Sequence, residues 1–419
     1  MLTKVPRGTK DVLPSESYKW HYVEKIAKDV AECFGFQEIR TPVFEHTELF
    51  ERGIGETTDV VEKEMYTFED RGKRSVTLKP EGTAPVVRSF IENKLYADAQ
   101  PTKLYYITPV FRYERPQAGR YRQHHQFGIE VFGASNASID AEVIHVAMTI
   151  YQKLGLEKLE VRINSIGCPQ CKEHYNEVLK TYLSNRIDNL CGTCQSRYER
   201  NPMRIIDCKV ESCQEQLTDV PLMIDYICDE CRDHFEGVQN HLEAIGVPFT
   251  IDPKIVRGLD YYSKTAFEII TDEAGKKGTL CGGGRYDQLV EQCGGPATPG
   301  VGFGMGLERA ILALETQGIV IPKPEGLDIF LVTMGEKAEL QGFKILSELR
   351  QMGLRADQDH LSRSTKAQFK YANKLMAQYT AIIGDEELER GTVSLKNMET
   401  GEQSEISIDK IVDILRDKL

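Results

Sequence analysis

A proline-containing segment, IVIPKPEGLD at residues 319–328, divides this 419-residue chain into two parts with different patterns. Single cores rarely grow beyond about 250–300 residues, so a chain of this length is expected to form two or three domains. After the segment, short apolar strands alternate with amphipathic helices, which predicts a small α/β domain. Before it, strand-like runs flanked by helices predict a mixed α+β body with an antiparallel sheet. We therefore expect domains at 1–325 and 326–419.

The composition limits the class of protein. A hydrophobic fraction of 41% with 28% charged residues is typical of a globular chain. No apolar run is long enough to span a bilayer, and the start, MLTKVPRGTKDVLP, lacks the apolar stretch of a secretory signal. We therefore expect a cytoplasmic protein with no membrane association. The formal net charge of −12 argues against nucleic-acid binding over the whole surface but allows one basic face.

One stretch, FRYERPQAGRYRQHHQFG at residues 111–128, is strongly basic although the chain is acidic. Its central part lies between predicted strands at 104–114 and 126–133, so we expect a hairpin loop there. Such a concentration of positive charge faces phosphate groups, a nucleic acid or only solvent. An arginine fork can hold two phosphate oxygens at once, and a nearby carboxylate can accept from an amino group. The basic residues of the stretch are Arg112, Arg115, Arg120, Arg122, His124 and His125.

Two glycine-rich segments follow. GVGFGMGLERAILAL at 300–314 predicts a strand that runs into a helix with Arg309 in its early turns, and a helix start favours anions. The glycine spacing matches neither the dinucleotide nor the P-loop pattern, so helix-on-sheet packing is the alternative. LCGGGRYDQL predicts a short strand at 278–281 and a tight turn at 282–287.

Together these segments resemble a known family. GFQEIRTPVFE at 35–45, the hairpin with Arg112 and Glu114, and the glycine-rich segment with Arg309 resemble the three signature motifs of class II aminoacyl-tRNA synthetases. VRGLDYYSKTAFE at 256–268 and LCGGGRYDQL resemble signatures specific to the histidyl-tRNA synthetases, and LKPEGTAP and QFGIEVFG match that family too. The resemblance covers essentially the whole chain. It implies a class II catalytic domain on an antiparallel sheet, interrupted by a mostly helical insertion at 168–245, and a C-terminal α/β anticodon-binding domain.

The resemblance also implies a reaction. The protein would attach L-histidine to its cognate tRNA, tRNA(His), through a histidyl-adenylate and would release AMP and pyrophosphate. Negative charge develops on the phosphate oxygens during activation, so fixed cations should speed that step. The implied catalytic residues are Arg112 and Arg257, with Arg257 at the α-phosphate where related enzymes use a second metal. The implied cofactors are ATP and Mg²⁺, and the implied assembly is a homodimer with Pro42 in its interface.

Individual residues inherit expected roles from the resemblance. For ATP these are Arg112 at the α-phosphate, Arg309 at the γ end, Glu114, and His124 against the adenine. His124 stands where the family usually has a phenylalanine, and imidazole is the smaller and more polar ring. For histidine, Glu130 and Tyr262 would recognise the two ring nitrogens. The other implied histidine-binding residues are Glu81, Thr83 and Gln126 at the α-ammonium group, and Gly82, Arg112, Arg257 and Tyr261.

Eight of the 11 cysteines lie in the predicted insertion. Cys168-x-x-Cys171 and Cys191-x-x-Cys194 have a spacing typical of zinc sites, and one tetrahedral zinc needs four ligands. The sequence leaves two alternatives open. One is a structural zinc at Cys168, Cys171, Cys191 and Cys194, with the other four cysteines as further potential ligands. The other is a set of reduced, partly buried thiols.

A basic stripe in the last domain is formed by Arg363, Lys366, Lys370 and Lys374, whose spacing places them on one helical face. Most such stripes are solvated, but an anticodon-binding domain makes contact with RNA the alternative. Two rival functions remain for the whole chain: a synthetase-like regulatory subunit of histidine biosynthesis, and an RNA-binding protein. The first typically lacks the C-terminal domain and has degraded histidine signatures. An RNA-binding function would not explain the presence of Glu81, Glu130 and Tyr262.

Overall fold

The computed structural model describes residues 3–55, 58, 60–273 and 276–418. The chain divides into two compact units, Met1–Pro322 and Lys323–Leu419. The strands of the first unit are, in chain order, β1 (Gln37–Glu38), β2 (Phe44–His46), β3 (Tyr66–Glu69), β4 (Ser75–Leu78), β5 (Thr102–Phe111), β6 (Gln123–Phe132), β7 (Leu159–Ser165), β8 (Phe249–Ile251), β9 (Ser263–Glu273), β10 (Lys276–Arg285) and β11 (Gly300–Gly306). Its helices are α1 (Ser17–Cys33), α2 (Thr47–Ile54), α3 (Thr83–Glu92), α4 (Ala137–Lys153), α5 (Pro169–Leu183), α6 (Gly192–Arg200), α7 (Glu211–Gln216), α8 (Asp229–Ala244), α9 (Leu289–Gln292) and α10 (Leu307–Thr316).

Within the described residues, eight strands form one sheet in the order β1–β5–β6–β11–β10–β9–β7–β8. Neighbouring strands are antiparallel except for the edge pairs β1/β5 and β7/β8. The β5/β6 hairpin runs from the pair Thr102↔Phe132 to the pair Phe111↔Gln123. The expected antiparallel sheet and the expected hairpin around the basic stretch are therefore confirmed.

The large sheet has one core face and one open face, because side chains alternate along a strand. On β6, Phe127, Ile129 and Val131 pack in the core with residues of α1, α4, α8 and α10. Gln126 and Glu130, on the same strand, point to the other face. On β11 the core positions are Val301, Phe303 and Met305, and every position of the other parity is a glycine. The open face is consequently free of side chains along β11.

One local expectation was wrong. The predicted turn at 282–287 is strand β10 as far as Arg285. A Cβ at Gly283 would collide with the backbone oxygen of Gly302, so this glycine serves close strand packing and not a turn. Pro42 lies between β1 and β2 and not within a strand, because it has no N–H to donate to a ladder. Strand β8 is only three residues long and ends before Pro253.

The part of the chain predicted as an insertion is helical. It contains α5 to α8, together with short 3-10 segments at Ile187–Asn189, Pro202–Ile205 and Met223–Tyr226. Its apolar side chains, among them Tyr175, Leu179 and Leu183 of α5, belong to a second buried cluster shared with Tyr261, Tyr262 and Tyr286. The helical subdomain therefore packs directly behind one end of the open face.

The second unit has an α/β pattern, as expected. Its strands are β12 (Ile329–Thr333), β13 (Ala356–Gln358), β14 (Tyr379–Ile383), β15 (Thr392–Asn397) and β16 (Gln403–Ser407), and its helices are α11 (Glu336–Gln351), α12 (Thr365–Lys374), α13 (Asp385–Arg390) and α14 (Ile411–Lys418). The sheet order is β13–β12–β14–β15–β16, parallel around β12 and antiparallel at β14/β15 and β15/β16. A separate apolar core, with Ile329, Leu331, Leu346 and Leu349, holds this unit together.

Candidate active site

A cavity of about 340 Å³ opens on the glycine-lined face of the large sheet. It lies over β6, β11, β10 and β9. The glycines there have no side chains to fill the space above the sheet. A Cβ at Gly304 would collide with the Gln126 amide, and one at Gly302 with the Glu130 carboxylate. The side chains that line the cavity and were expected at the site are Glu81, Thr83, Arg112, His124, Gln126, Arg257, Tyr261, Tyr262 and Arg309.

Three arginines enter the cavity from different parts of the chain. Arg112 follows the end of β5, and its Nε donates to the carbonyl oxygen of Pro80 at 2.7 Å. Arg309 lies in the first turn of α10 and donates to the backbone oxygen of Thr279. Arg257 lies in the loop before β9. With Arg120, which also lines the cavity, four guanidinium groups form an electropositive site suited to a polyphosphate.

Arg257 is oriented from two sides. Its guanidinium donates to Glu268 Oε1 at 2.6 Å, and its central carbon lies 5.4 Å from the centroid of the Tyr262 ring. Gly282 faces it, and a Cβ at that position would collide with the guanidinium. Only 17% of the Arg257 side chain is exposed. The group is therefore held in one place before any ligand arrives.

Hydrogen-bond acceptors gather at another part of the wall. The Glu81 carboxylate accepts the backbone N–H groups of Thr83 and Ala84, both at 2.7 Å, at the start of α3. Burial raises the pKa of Glu81, and these two bonds oppose the rise. The Oε1 of Gln126 is buried and has no hydrogen-bond partner among the described residues. A buried acceptor of this kind, beside a carboxylate, suits a ligand that brings a cationic N–H donor.

Glu130 lies behind the cavity wall. Its carboxylate accepts the hydroxyls of Thr83 at 2.7 Å, Tyr106 at 3.1 Å and Tyr286. Burial raises its pKa to about 8. The rings of Tyr261 and Tyr262 are 4.7 Å apart at their centroids and form the wall beside it. The two expected imidazole-recognising residues are linked through Tyr286, whose hydroxyl donates to Glu130 and whose ring centroid lies 6.4 Å from that of Tyr262.

Only some basic residues of the hairpin reach the cavity. Arg112, Arg120 and His124 line the cavity. Burial, and then the positive charge of Arg112, lowers the pKa of His124 to about 4, so this ring is neutral near pH 7. The Glu114 carboxylate lies 3.9 Å from Arg112 and 3.7 Å from Arg120. Of the other basic residues, Arg122 stacks on Tyr113, His125 pairs with Glu308, and Arg115 is exposed.

Two residues of the site were missed from the sequence. Glu268, the partner of Arg257, lies two positions after Ala266 on β9, and Tyr106, which donates to Glu130, lies on β5. The period of two along a strand was the available signal, since it places both on the open face. Gly82, by contrast, was expected to bind histidine and lies where its missing side chain makes room for the Tyr106 ring.

The cysteines form two groups, which differ from the expected set of four. The first cysteine cluster is Cys168, Cys171, Cys228 and Cys231, and the second cysteine cluster is Cys191, Cys194, Cys208 and Cys213. Within each cluster the four sulfur atoms lie within 4.8 Å of one another. The expected set of Cys168, Cys171, Cys191 and Cys194 was wrong. The first pair begins α5 and belongs to the first cluster, whereas the second pair begins α6 and belongs to the second cluster.

The basic stripe of the second unit is shorter than expected. Lys366, Lys370 and Lys374 are exposed on α12. Arg363 precedes the helix and donates to the Asp359 carboxylate at 2.6 Å. Asp359 also accepts the Leu361 and Arg363 backbone N–H groups, and this turn delays the helix start to Thr365. Arg363 is therefore not part of the helical face.

No helix in the described part of the chain is both long and apolar enough to cross a membrane.

Known proteins similar to this chain extend over nearly its full length. A family model described as histidyl-tRNA synthetase matches residues 8–310, and one described as anticodon binding domain matches residues 328–418. The histidine–tRNA ligase of Alkaliphilus oremlandii is 72% identical over 99% of this chain and 98% of its own length. That of Caldanaerobacter subterraneus subsp. tengcongensis is 62% identical over 98% and 99%.

Among solved structures, the apo histidyl-tRNA synthetase of S. aureus aligns with a TM-score of 0.86 and 43% identity, over 99% of this chain and 100% of that one. The resemblance seen in the sequence motifs, the antiparallel sheet and the separate α/β unit all agree with these matches. The chain belongs to the histidyl-tRNA synthetase family.

Proposed function

We propose that the cavity on the open face activates L-histidine with ATP, and that the protein then transfers the histidyl group to tRNA(His). The convergence of Arg112, Arg257 and Arg309 on one cavity carries this proposal, because phosphoryl chemistry needs fixed positive charge where negative charge develops. In the first step the histidine carboxylate attacks the α-phosphorus and pyrophosphate leaves. In the second, a hydroxyl of the terminal tRNA ribose attacks the carbonyl carbon and AMP leaves.

The arginines have different tasks in this proposal. Arg112 binds the α-phosphate oxygens, and Arg309, at the start of α10, binds the far end of the triphosphate. Arg257 stabilises the charge that develops at the α-phosphate, since Glu268 and Tyr262 already hold it in place. Its catalytic contribution then comes from preorganisation, because the group needs no rearrangement during the reaction. His124, which is neutral and planar, packs against the adenine.

Histidine is bound in the part of the cavity that Glu81, Gln126 and Tyr262 line. Glu81, Thr83 and the unpartnered Oε1 of Gln126 accept the α-ammonium group. Tyr262 and Glu130 recognise the two ring nitrogens, which no other amino-acid side chain presents in the same geometry. Glu130 reaches this role by exchanging one of its hydroxyl partners for the substrate ring. A site that must satisfy buried polar groups rejects analogues lacking the matching donor.

We propose Mg²⁺ as the divalent metal of the reaction. Mg²⁺ prefers oxygen ligands and usually binds through phosphates and one or two carboxylates. The cavity offers oxygen donors of this type: Glu268 lines it, and Glu114 lies beside Arg112 and Arg120. When bound, the ion neutralises phosphate charge. The protein's own arginines supply the remaining positive charge.

We propose a homodimer with the segment around Pro42 in its interface, and a cytoplasmic location beside its tRNA substrate. In the small sheet β2–β4–β3, Phe44 pairs with Leu78, and Phe68 pairs with Val76. These side chains share one face, on which Phe44 is 52% and Phe68 is 49% exposed. Half-exposed aromatic rings on one sheet face are typical of a protein–protein contact.

Histidine-dependent exchange of labelled pyrophosphate into ATP tests the first step, and charging of tRNA(His) tests the second. We expect exchange with histidine alone and none with the other amino acids. Exchange without charging would support the cavity and contradict the transfer role. Absence of exchange, in a protein with native circular dichroism, would overturn the proposed function.

A further inference from the structure

The cysteines of the helical subdomain carry an inference beyond the reaction. We propose that the first and second cysteine clusters are two separate structural zinc sites, so that each chain binds two Zn²⁺ ions through eight thiolates. Each cluster supplies four sulfurs and no other ligand type, which is the donor set of closed, structural zinc. The sites are outside the catalytic cavity.

The spacing of the sulfur atoms suits a single tetrahedral ion. A Zn–S bond of about 2.3 Å places tetrahedral sulfurs about 3.8 Å apart. Within the clusters, Cys168 and Cys171 have sulfurs 3.4 Å apart, and Cys191 and Cys208 have sulfurs 3.9 Å apart. These separations are much longer than the 2.05 Å or so of a disulfide. All sulfurs of a cluster lie within 4.8 Å, so small shifts bring them to the tetrahedral value.

Backbone groups support thiolates at both clusters. Three Cys-x-x-Cys pairs begin helices: Cys168, Cys191 and Cys228 are the N-cap residues of α5, α6 and α8. The positive end of each helix dipole therefore lies beside a sulfur pair. The N–H of Cys228 donates to Cys171 Sγ, and that of Cys191 donates to Cys213 Sγ, both at 3.1 Å. Such bonds orient metal-binding thiolates and offset their charge.

The first cluster lies where the chain enters and leaves the helical subdomain. It joins the start of α5 to the start of α8, across 57 residues between Cys171 and Cys228. Next to it, Lys172 donates to the backbone oxygen of Tyr262. A metal here would hold the two ends of the subdomain together and fix Lys172 against the histidine end of the cavity.

The second cluster closes a loop farther along the chain. Between Cys194 and Cys208, the Asn201 amide donates to the Asp260 carboxylate at 2.6 Å. Arg204 donates to the backbone oxygen of Arg257 at 3.3 Å. The segment that this cluster closes therefore packs against the loop that carries Arg257. A metal here would act as a positioning device for Arg257.

Elemental analysis of the full-length protein, purified without chelator, tests the proposal directly. We expect two zinc ions per chain. Titration of the native protein with a mercurial reagent should release both ions as the eight clustered thiols react. This measurement needs no variant. A zinc content of none or one per chain, or iron in place of zinc, would overturn the proposal.

Single substitutions assign the ions to the clusters. Cys228→Ser in the first cluster and Cys208→Ser in the second should each leave one zinc per chain. Cys33→Ser, at an exposed cysteine outside both clusters, is the matched control and should leave two. If either cluster variant keeps both ions, the zinc lies elsewhere and the assignment fails. Cobalt loading of each variant should give the visible absorption of tetrahedral thiolate Co²⁺ at the site that remains.

Kinetics separate the two positioning roles. These readouts rest on the proposed function, whereas the metal content does not. Cys208→Ser should lower kcat for adenylate formation about 10-fold, because outer contacts of this kind typically contribute factors of 10–100. Cys228→Ser should mainly raise the KM for histidine, because it loosens the Tyr262 side. Loss of one ion with unchanged kinetics would refute the positioning roles and leave the metal sites standing.

Discussion

At the scale of single residues, the site combines fixed positive charge with buried acceptors. Arg257 pairs with Glu268, and Arg112 and Arg309 each donate to a backbone carbonyl. Arg309 also donates to the backbone oxygen of Gly119 at 3.4 Å, and a guanidinium carries five donors in all. These contacts hold the three cations in place at the cavity, and fixed positive charge favours the binding of phosphates.

Arg257→Ala tests whether this group acts in the transition state. We expect kcat for histidine activation to fall about 10²- to 10³-fold, the range for losing one preorganised donor, with much smaller changes in KM for ATP and histidine. Rapid-quench measurement of adenylate formation separates this step from transfer. Arg74→Ala, which removes an exposed arginine paired with Asp70, is the control and should change neither constant. A raised KM with normal kcat would make Arg257 a ground-state binding residue.

His125 and Glu308 predict a pH dependence of stability. The Glu308 carboxylate accepts from the ring at 2.9 Å, and this bond raises the pKa of His125 above its usual 6.5. The stabilisation is therefore fully present below pH 6.5 and is lost as the pH rises through the raised folded-state pKa. A double-mutant cycle of His125→Asn and Glu308→Gln in urea should give a coupling of about 1 kcal/mol at pH 6. The same cycle at pH 9 should give a much smaller value, and equal couplings at both pH values would refute the ionic contribution.

At the scale of elements, the glycines of β10 and β11 set the depth of the cavity. Gly302 and Gly304 leave room for the side chains of Glu130 and Gln126 on the neighbouring strand. Gly283 instead allows two strands to approach, because its α-carbon faces the backbone of Gly302. The glycines of both strands therefore allow close packing in the sheet beneath the cavity. Neither run acts as a flexible hinge or a turn.

Gly283→Ala should destabilise the first unit by about 2–4 kcal/mol, since a methyl group would meet a backbone oxygen that cannot move away by rotation. Chemical denaturation followed by tyrosine fluorescence measures the change. Gly53→Ala is the control. It lies within α2 and its nearest side-chain atom would be at 3.4 Å, so that variant should be as stable as the parent or gain up to about 1 kcal/mol. A Gly283→Ala protein of normal stability would show that the strands can separate.

The exposed lysines of α12 give a prediction for the C-terminal unit. Replacing Lys366, Lys370 and Lys374 by Gln should weaken tRNA binding and reduce its salt slope by about 0.7–0.9 for each phosphate that is no longer neutralised. Histidine-dependent pyrophosphate exchange should not change. Gln at the exposed residues Lys337, Lys344 and Lys410 of the same unit provides a control of equal charge. Equal tRNA affinities for the two triple variants would identify the α12 face as simply solvated.

The sequence predicted the presence of helices and strands better than the residues at which they begin and end. The β5/β6 hairpin and the β11–α10 connection follow from local signals, because strand periodicity and turn residues act over a few positions. The start of α12 and the length of β10 did not follow, since Asp359 caps a turn before the helix and Gly283 packs on a strand distant in sequence. Partners outside the local window decided both boundaries.

At the scale of the whole molecule, basic groups are concentrated at specific places on a chain with a net charge of −12. One concentration lines the cavity of the first unit, and another lies on α12 of the second. The acidic remainder repels nucleic acid, so we expect contact with tRNA at the places where basic groups gather. This charge pattern suits an enzyme that binds one kind of polyanion in one orientation.

The proposed dimer is tested by the exposed aromatic face of the small sheet. Phe44→Asp combined with Phe68→Asp should convert the dimer to a monomer in sedimentation velocity, because two charges would be buried without partners. Leu340→Asp, at a residue of α11 that is 75% exposed, is the control and should leave the assembly unchanged. A double variant that sediments as the parent would place the interface elsewhere.

The sequence by itself determined the family and the places of the motifs. The segments with Arg112, Arg257 and Arg309 carry their chemistry in residue type and spacing, which need no coordinates to recognise. The period of two in GVGFGMG likewise separates a core face from an open face before any fold is known.

Only the tertiary structure decided which distant groups meet. It placed Glu268 against Arg257, brought the Tyr286 hydroxyl to the Glu130 carboxylate, and divided eight cysteines into two clusters. The physical reason is common to all three. A side chain's partners depend on strand order and helix packing, and these are set by burial of the entire core and not by neighbours along the chain.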